Sequence, residues 1–346
     1  MITIVVDAMG GDYAPVAPVE GICEAAAAFS DTHFIVIGDE QRIVELAKGR
    51  FPANVSVRHT DVVIAGEEEP VRAVRRKPNS SLVMAAQMVA NGEANVMVSA
   101  GNTGAIMAAG MLVIGRLPGV ERPALAPILP TFDGRGVLLL DAGATMDASA
   151  ENLLTYAYMA DAYVKHVLDI ENPRIGLLNV GTEDSKGNAV VKQTFTLLSQ
   201  SQLNFIGNVE AREMMAGSAD VVVCDGFVGN VVLKLAEGIG IGLFSGIREA
   251  LTSNVTSRLG AMLVGGRLRS LRNRYDWAEH GGAPFLGVNG GCIKAHGSSN
   301  PRAWYMALSQ ARKFIANDLL SKLSTAMEER NARISVPDHQ YGDVEK

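Results

Sequence analysis

The sequence predicts an α/β fold, doubly wound or related to that class, with a mostly parallel sheet covered by helices. Two observations predict it. Short runs of Val, Ile and Leu recur without polar alternation, which is typical of strands that are buried on both faces. Stretches of helical length, rich in Ala and Leu, separate these runs, and such an alternation is the pattern of a parallel sheet.

The elements follow from these runs in chain order. The predicted strands are residues 2–6, 34–37, 55–57, 96–99, 137–140, 175–180, 205–206 and 221–224. The predicted helices lie near residues 16–30, 80–92, 103–115, 150–168, 188–200 and 228–252. We expect residues 1–330 to form a single α/β domain, with 248–280 as a protruding helical hairpin and 331–346 as a polar tail.

Composition argues against several classes of protein. The net charge of -6 argues against nucleic acid binding, which needs a basic surface. The first residues lack the basic segment of a signal peptide, and we read no stretch as long and apolar enough to span a bilayer, so we expect neither a leader nor a membrane span. Cys23, Cys224 and Cys292 form no CxxC pair, which argues against a disulfide scaffold or a cysteine zinc site and favours the cytoplasm.

Glycine-rich turns follow five of the predicted strands, and each combines glycine with Asp, Asn, Ser or Thr. Ligands bind at this edge of α/β sheets, glycine lets the backbone approach them, and helix N-termini attract anions. We therefore predict an anion site, although glycines also form ordinary tight connections. The five turns are residues 7–12, 99–104, 141–144, 179–183 and 225–230.

A sixth glycine-rich segment, residues 281–299, ends in Lys294, His296 and Ser298. Basic and hydroxyl groups close to glycines also suit an anion. The motifs of other ligand sites are absent from the sequence: there is no GxxxxGK[ST], no GxGxxG after a strand, no HExxH and no GxSxG. Cys224 stands at a strand end, where a nucleophile could lie, but a buried thiol is more often a small core residue.

Six segments together resemble one family. In order and spacing they resemble the PlsX phosphate acyltransferases of bacterial phospholipid synthesis, over residues 1 to about 320. One position departs, because the family usually reads DxGAN after the central strand and this chain has Thr145 in place of the asparagine. The segments are DAMGGDYAP, SAGNTGA, GxERPA, NVGTEDSKGN, VCDGFVGNVVLK and GVNGGCIKAHGSSN.

The resemblance implies that a fatty acyl group passes from acyl-acyl carrier protein to inorganic phosphate, giving acyl phosphate for phosphatidic acid synthesis. It also implies a three-layer α/β/α sandwich, Rossmann-like and similar to isopropylmalate dehydrogenases and phosphotransacetylases. A homodimer is implied, as is the absence of a metal or nucleotide cofactor. The next user of the product is implied to be a membrane glycerol-phosphate acyltransferase.

The chemistry of that reaction fits the residue types in the turns. Phosphate is already anionic near neutral pH and a thiol leaves readily, so neither a strong base nor a strong acid is needed. What remains is to hold phosphate against the thioester and to stabilise the oxyanion, which N–H groups, Asn, Ser, Thr and Lys can do. Asp side chains are then expected to organise turns and lysines rather than to act as bases.

We assign the predicted roles as hypotheses. The predicted catalytic residues are Lys186, Asp225, Asn230, Lys234, Lys294 and His296. The predicted phosphate- and substrate-binding residues are Asp7, Gly10, Gly11, Asp12, Ser99, Gly101, Asn102, Thr103, Gly104, Asp141, Gly143, Asn179, Gly181, Glu183, Gly226, Gly229, Gly297 and Ser298. The alternative for each lysine is a solvated surface charge, and for His296 a structural hydrogen bond.

Two basic segments are candidates for larger partners. Arg72, Arg75 and Arg76, with Lys77, have helical spacing and could dock an acidic carrier protein; the alternative is a solvated face. Residues 248–274 hold six arginines and one acid. This segment predicts a hairpin, broken at residues 265–266 and closed by Tyr275 and Trp277.

An apolar stripe runs along that hairpin. Its residues are Leu251, Val255, Leu259, Met262 and Leu263. Such a stripe beside arginines predicts peripheral attachment to an anionic membrane surface, with the rest of the protein in the cytoplasm. The alternative is that the stripe packs against the second subunit of a dimer.

Two other functions compete with this one. A phosphotransacetylase-like enzyme would use acyl-coenzyme A, and a related dehydrogenase would need metal-binding aspartates grouped with arginines. A non-catalytic membrane scaffold for lipid synthesis would have no use for anion-binding turns.

Overall fold

The strands of the computed structural model, which describes residues 1–275 and 281–334, lie in two sheets flanked by helices. This confirms the α/β fold class. The strands are β1 (Ile2–Asp7), β2 (Thr32–Gly38), β3 (Val55–His59), β4 (Val96–Ser99), β5 (Ala124–Leu125), β6 (Ile128–Leu129), β7 (Val137–Leu140), β8 (Ile175–Leu178), β9 (Phe205–Val209), β10 (Val221–Val223), β11 (Ala283–Leu286) and β12 (Gly291–Lys294).

Helices connect and cover the strands. They are α1 (Val16–Ala28), α2 (Glu40–Ala47), α3 (Pro70–Arg76), α4 (Ser81–Ala90), α5 (Thr103–Ala109), α6 (Ala150–Val167), α7 (Ala189–Ser199), α8 (Ala211–Met215), α9 (Gly226–Thr252), α10 (Val255–Arg274), α11 (Pro301–Ala316) and α12 (Leu319–Ile334). A π-helical turn, Gly110–Ile114, extends α5.

The larger sheet has seven strands in the order β3-β2-β1-β4-β12-β11-β5. Its first five strands are parallel, and β11 and β5 are antiparallel to their neighbours. β1 and β4, at the centre of this sheet, are almost continuous apolar runs and are largely buried, as expected for strands covered on both faces, whereas the edge strand β3 is partly exposed. The carboxyl ends of the parallel strands meet at one edge of this sheet.

The smaller sheet has the order β6-β7-β10-β8-β9, and only β6 is antiparallel among these strands. One hydrophobic core joins the two sheets, since Ile4 and Val96 belong to the same buried cluster as Leu138 and Ile175. We had predicted one mostly parallel sheet, whereas the structure divides the strands between two, and the two-residue strands β5 and β6, each at the end of its sheet, are too short to be read from the sequence.

The glycine-rich segment 281–299 contains two strands that the sequence analysis did not identify. They are β11 and β12, and β12 pairs in parallel with β4. The strands have four residues each and glycines flank them, so they carry little signal in the sequence. Packing explains the glycine at position 291, since an added Cβ would lie 2.5 Å from Cβ of Val96.

In the helical hairpin, the break between the two helices lies at a different position from the one that we predicted. α10 continues through Gly265 and Gly266, so the expected break there was wrong; the chain reverses between Thr252 and Val255. Asn254 caps the new helix, because its Oδ1 accepts the N–H of Ser257 at 2.8 Å. A glycine costs an exposed helix only about 1 kcal/mol, which does not end it.

The ends of the predicted domain are only partly described. α12 runs to Ile334, so the predicted boundary at 330 falls inside this helix, and 335–346 lie outside the described residues, as does Trp277. Within the described residues, α9 is long and apolar enough to cross a membrane by length and composition, which we had not expected. Its first turns are buried in the α/β body at Gly226, Gly229 and Leu233.

Candidate functional site

Asp7, Ser99 and Lys294 end three neighbouring parallel strands and lie in one row across the larger sheet. The register pairs Asp7 with Ser99, and Ser99 with Lys294. Ser99 Oγ donates a hydrogen bond to Asp7 Oδ2 at 2.7 Å, and both side chains are buried. Burial raises the pKa of Asp7. The row places a carboxylate, a hydroxyl and an ammonium at the edge where ligands bind in α/β folds.

The glycine-rich segments that follow β1, β4 and β12 contact one another, and their glycines allow the close approach. A Cβ added at Gly10 would lie 2.7 Å from the backbone N of Gly101, and one at Gly11 would lie 3.1 Å from the carbonyl O of Gly297. The backbone N–H of Asp12 donates to the same Gly297 carbonyl at 2.8 Å. The structure thus brings together the first, second and sixth glycine-rich segments, which are distant in sequence.

The turn at residues 99–104 also contacts the start of α3 and the loop before it. Asn102 caps α5 by accepting the N–H of Ala105 at 3.1 Å, and its Nδ2 donates to the carbonyl O of Gly66 at 2.6 Å. A Cβ added at Gly104 would lie 2.6 Å from Cγ of Pro70. The Asn102 side chain and the small size of Gly104 therefore have structural roles, and Thr103 stands partly exposed between them. Phosphate binding by the backbone of this turn stays a prediction.

Asp141 organises the matching turn of the smaller sheet. Its carboxylate accepts hydrogen bonds from the backbone N–H groups of Leu125, Gly143, Ala144 and Thr145, the last at 2.6 Å. Burial raises the pKa of Asp141 to about 6, and these hydrogen bonds oppose the rise. The Thr145 hydroxyl lies 3.5 Å from the carbonyl O of Pro123 and is buried, so it faces the interior.

The start of α9 packs tightly on that turn. A Cβ at Gly229 would overlap the carbonyl O of Asp141, and the N–H of Gly226 donates to the carbonyl O of Thr145 at 2.8 Å. Asp225 is the N-cap of α9 and accepts the N–H of Val228 at 2.9 Å. One turn into α9, the side chain of Asn230 lies 3.4 Å from where a Cβ of Gly143 would be.

α9 begins at the smaller sheet, and further along it reaches residues that follow the strands of the larger sheet. Lys234 Nζ lies 2.7 Å from Oε2 of Glu237, on the next turn, and 3.5 Å from Nε2 of His296, which follows β12. Glu237 Oε1 lies 3.6 Å from the same His296 nitrogen. The structure therefore groups Lys234 and His296, both predicted, with Glu237, which was not.

Burial and the neighbouring charges shift the pKa values of Lys294 and His296. Burial, with a smaller contribution from the Lys234 ammonium, lowers the pKa of Lys294 to about 8, and Glu237 opposes the shift. Burial and the Lys294 ammonium lower the pKa of His296 below its usual value. His296 Nδ1 accepts the backbone N–H of Ser298 at 3.2 Å. This bond favours the neutral tautomer with its hydrogen on Nε2, the nitrogen that faces both Glu237 and the Lys234 ammonium.

A cavity of about 290 Å³ opens beside this group. Lys294, His296 and Ser298 line its polar side together with Glu237, Ser299 and Asn300, and residues 281–283 with residues of β5, β6, α9 and α11 line the rest. We did not predict the apolar side of this cavity. No signal in the sequence separated its residues from the ordinary core, whereas Glu237 could have been found from its i, i+3 spacing to Lys234.

The fourth turn lies at the carboxyl end of β8. Asn179 Nδ2 donates to the carbonyl O of Lys186 at 3.2 Å, and a Cβ at Gly181 would lie 2.8 Å from Glu183 Oε2. The side chains of Glu183 and Lys186 are exposed. These contacts lie within the loop, so the catalytic role of Lys186 stays a prediction.

The predicted surfaces for partners are exposed. On α3, Arg72, Arg75 and Arg76 are exposed, whereas Lys77 Nζ is held by Glu68 Oε1 at 2.7 Å. In the hairpin, Val255, Leu259, Met262 and Leu263 are exposed and Leu251 is partly so, with Leu263 at 89%.

Cys224 is buried, and burial raises the pKa of its thiol well above the usual value, which opposes a role as nucleophile. Within 1–275 and 281–334, no group of three or more His, Cys, Asp or Glu side chains is arranged to hold a metal ion.

Comparisons with known proteins add to this geometry. The family described as "Fatty acid synthesis protein" matches residues 2–322. A "Phosphate acyltransferase" of Geobacillus thermodenitrificans (strain NG80-2) is 51% identical over 325 residues, covering 94% of this chain and 98% of that protein. One of Bacillus cereus (strain B4264) is 48% identical over 328 residues, covering 95% and 99%. A solved phosphotransacetylase from Streptococcus pyogenes, 17% identical, shares the fold with a TM-score of 0.55 over 94% of each chain.

Proposed function

The chain belongs to the family described as fatty acid synthesis protein, and on that premise we propose that it is an enzyme, a phosphate acyltransferase, which moves a fatty acyl group onto inorganic phosphate. Its relatives at about half identity carry that name over nearly their whole length. The resemblance of the six sequence segments to PlsX phosphate acyltransferases points the same way.

One observation in the site supports the proposal above all others. Two ammonium groups, on Lys234 and Lys294, lie near His296, which lines a cavity together with Lys294, and the carboxylate of Glu237 is paired with Lys234 at 2.7 Å. The ammonium of Lys294 is thereby left to attract an anion. A phosphate dianion bound there would be stabilised by charge and would raise the lowered pKa of Lys294.

The reaction needs little more than this arrangement. A phosphate oxygen attacks the thioester carbonyl carbon and forms a tetrahedral oxyanion. The C–S bond then breaks, and the phosphate proton ends on the leaving sulfur. Lys294 neutralises phosphate, and the Nε2–H of His296 donates to a phosphate oxygen or returns the proton to sulfur. Other backbone N–H groups of residues 99–104 and 225–230 stabilise the oxyanion, since those of Gly101 and Gly229 already donate to Ser99 Oγ and to the carbonyl O of Asp225.

The acyl donor in this proposal is acyl-acyl carrier protein. The exposed side chains of Arg72, Arg75 and Arg76 on α3 support it, because they present three positive charges to an acidic partner. Lys77 contributes less, since Glu68 already neutralises it. The alternative donor is acyl-coenzyme A, as in a phosphotransacetylase.

The α9–α10 hairpin supports a second part of the proposal. Its exposed apolar residues, Leu259, Met262 and Leu263 among them, need a cover of lipid or of a second subunit. We propose a homodimer that binds an anionic membrane surface from the cytoplasm, and that hands its product to a membrane glycerol-phosphate acyltransferase. A scaffold without activity would have no use for the cationic cavity.

The test is an assay for acyl phosphate with purified protein, inorganic phosphate and palmitoyl-acyl carrier protein, run beside palmitoyl- and acetyl-coenzyme A. We expect acyl phosphate and free carrier thiol in equal amounts with the carrier protein donor. Faster turnover of acetyl-coenzyme A would make the protein a phosphotransacetylase. If no donor gave acyl phosphate, the non-catalytic membrane scaffold would be the remaining hypothesis.

A further inference from the structure

We propose that the cavity beside Lys294 and His296 binds the hydrocarbon chain of the fatty acyl substrate, and that its size sets the preference for chain length. This inference rests on the proposed function, because it names the place of one of its substrates. The cavity measures about 290 Å³, whereas a single water molecule needs only about 10–15 Å³.

One wall of the cavity is a stripe of α9. Leu233, Glu237 and Ile241 line it, and their spacing of four residues puts them on one face of the helix. Leu233 is buried, and Ile241 is exposed at the outer end. The stripe thus leads from the charged group outward along apolar side chains. Glu237 interrupts it, but its carboxylate is turned to Lys234 and His296.

The facing wall is apolar as well. Leu125, Pro127 and Ile128 come from β5, β6 and their connection, and Ala303 comes from the first turn of α11. A chain of methylene groups gains about 0.8 kcal/mol for each CH₂ that leaves water for such walls. A polar ligand of the same length would gain nothing from them.

The polar side fixes the direction in which a chain would lie. Lys294, His296 and Ser298 are part of it, with Ser299 and Asn300 beside them, so the thioester carbonyl has to lie there for phosphate to reach its carbon. The hydrocarbon then extends between α9 and the β5–β6 segment. An amphiphile with an anionic or polar head and an apolar tail is the ligand class that matches both sides.

The test uses Ala303→Leu, which fills the cavity from α11, with Ala316→Leu as the control, an exposed position at the end of the same helix. Binding of decyl phosphate and of butyl phosphate is measured by calorimetry for each protein. Wild type should bind decyl phosphate more tightly, by about fourfold for each added methylene until the cavity is full. A303L should lose this advantage by tenfold or more, and A316L should keep it.

Two further arms complete the test. Ile128→Phe, on the opposite wall, should reproduce the effect if A303L does not fold, as judged by its thermal unfolding. In the acyl phosphate assay, A303L should lower kcat/KM for a C16 donor relative to a C4 donor, with KM for phosphate unchanged. Equal binding of both alkyl phosphates by wild type, or an unchanged ratio in folded A303L and I128F, would overturn the proposal. An inactive wild type that still binds decyl phosphate more tightly would refute the function but not the cavity.

Discussion

The Lys234 ammonium lies 3.5 Å from Nε2 of His296, although the two residues are 62 positions apart in the sequence. Lys234 comes from a helix that begins at the smaller sheet, and His296 follows a strand of the larger one. The contact therefore links the helix that follows the fifth glycine-rich turn to the segment that follows β12. It also places a second positive charge near Lys294, which helps to lower the pKa of Lys294.

The first prediction concerns the charge of Lys294. In the wild type, kcat/KM for phosphate should fall as pH rises through about 8, because the ammonium loses its proton there. Lys294→Arg keeps its charge in that range, so its activity, though lower, should not show this fall. Lys294→Met should lose about 100-fold at neutral pH. Lys313→Met, on exposed surface of α11, is the control.

Identical pH profiles for wild type and K294R would remove Lys294 from phosphate binding. The measurement is initial rate against phosphate concentration between pH 6 and pH 10, with folding checked by circular dichroism at each end.

The second prediction concerns Glu237, which raises the pKa of both Lys294 and His296 by its negative charge. Glu237→Gln removes that charge, so Lys294 should lose its proton at a lower pH and the alkaline fall in kcat/KM should begin earlier. Glu93→Gln is the matched control, because it breaks an exposed pair with Arg58 far from the site. A profile that does not move in E237Q would show that Glu237 acts on the fold alone.

The class of the fold was predictable because its signal is repeated. β1, β4 and β7 are nearly continuous apolar runs, and each is followed by a glycine-rich turn. Two-residue strands such as β5 and β6, each at the end of its sheet, carry no such signal. The helix break that we expected at Gly265 is absent from the structure. That prediction gave the glycines more weight than the helical pattern on both sides of them.

The site was predictable to the level of its turns, but not of its contacts. Glycine with Asp or Asn marks a turn in the sequence, while the row of Asp7, Ser99 and Lys294 depends on the register of β12 with β4. Register between strands that are almost 200 residues apart is a tertiary property. The pairing of Glu237 with His296 likewise needs the direction of α9, which the sequence does not contain.

The third prediction concerns the turn donors. Asn230→Ala should lower kcat/KM for phosphate by about 100-fold or more, because one well-placed donor is lost. Gly101→Ala keeps its backbone N–H but adds a methyl group to the turn, which should also hinder phosphate binding with a stable fold, since the new Cβ would lie 3.3 Å from Ser99 Oγ and meet only this neighbour closely. Gly104→Val is a poorer test, because it would displace Pro70. Asn204→Ala is the control, and near-normal kinetics in N230A and G101A would remove these turns from the site.

The fourth prediction concerns metal and thiol. Activity should survive EDTA, because the reaction needs only charge and hydrogen bonds from the chain. It should also survive Cys224→Ser, because the thiol is buried and its raised pKa keeps it protonated. The measurement is turnover after dialysis against EDTA, and in C224S with its thermal unfolding recorded. A loss of turnover in either case, with the fold intact, would require a different mechanism.

The fifth prediction concerns the hairpin. Leu259 and Leu263 on α10 are 54% and 89% exposed, and Arg258 and Arg267 lie on the same helix. An apolar face beside arginines should bind anionic lipid, so wild type should float with anionic vesicles, not with neutral ones, and salt should weaken the binding. Leu259→Glu with Leu263→Glu should abolish flotation while the mass in solution stays that of a dimer. Val44→Glu, on exposed surface of α2, controls for the added charge. Dissociation of the double variant to monomers would make the stripe a subunit interface, and a wild type that never floats would refute membrane attachment.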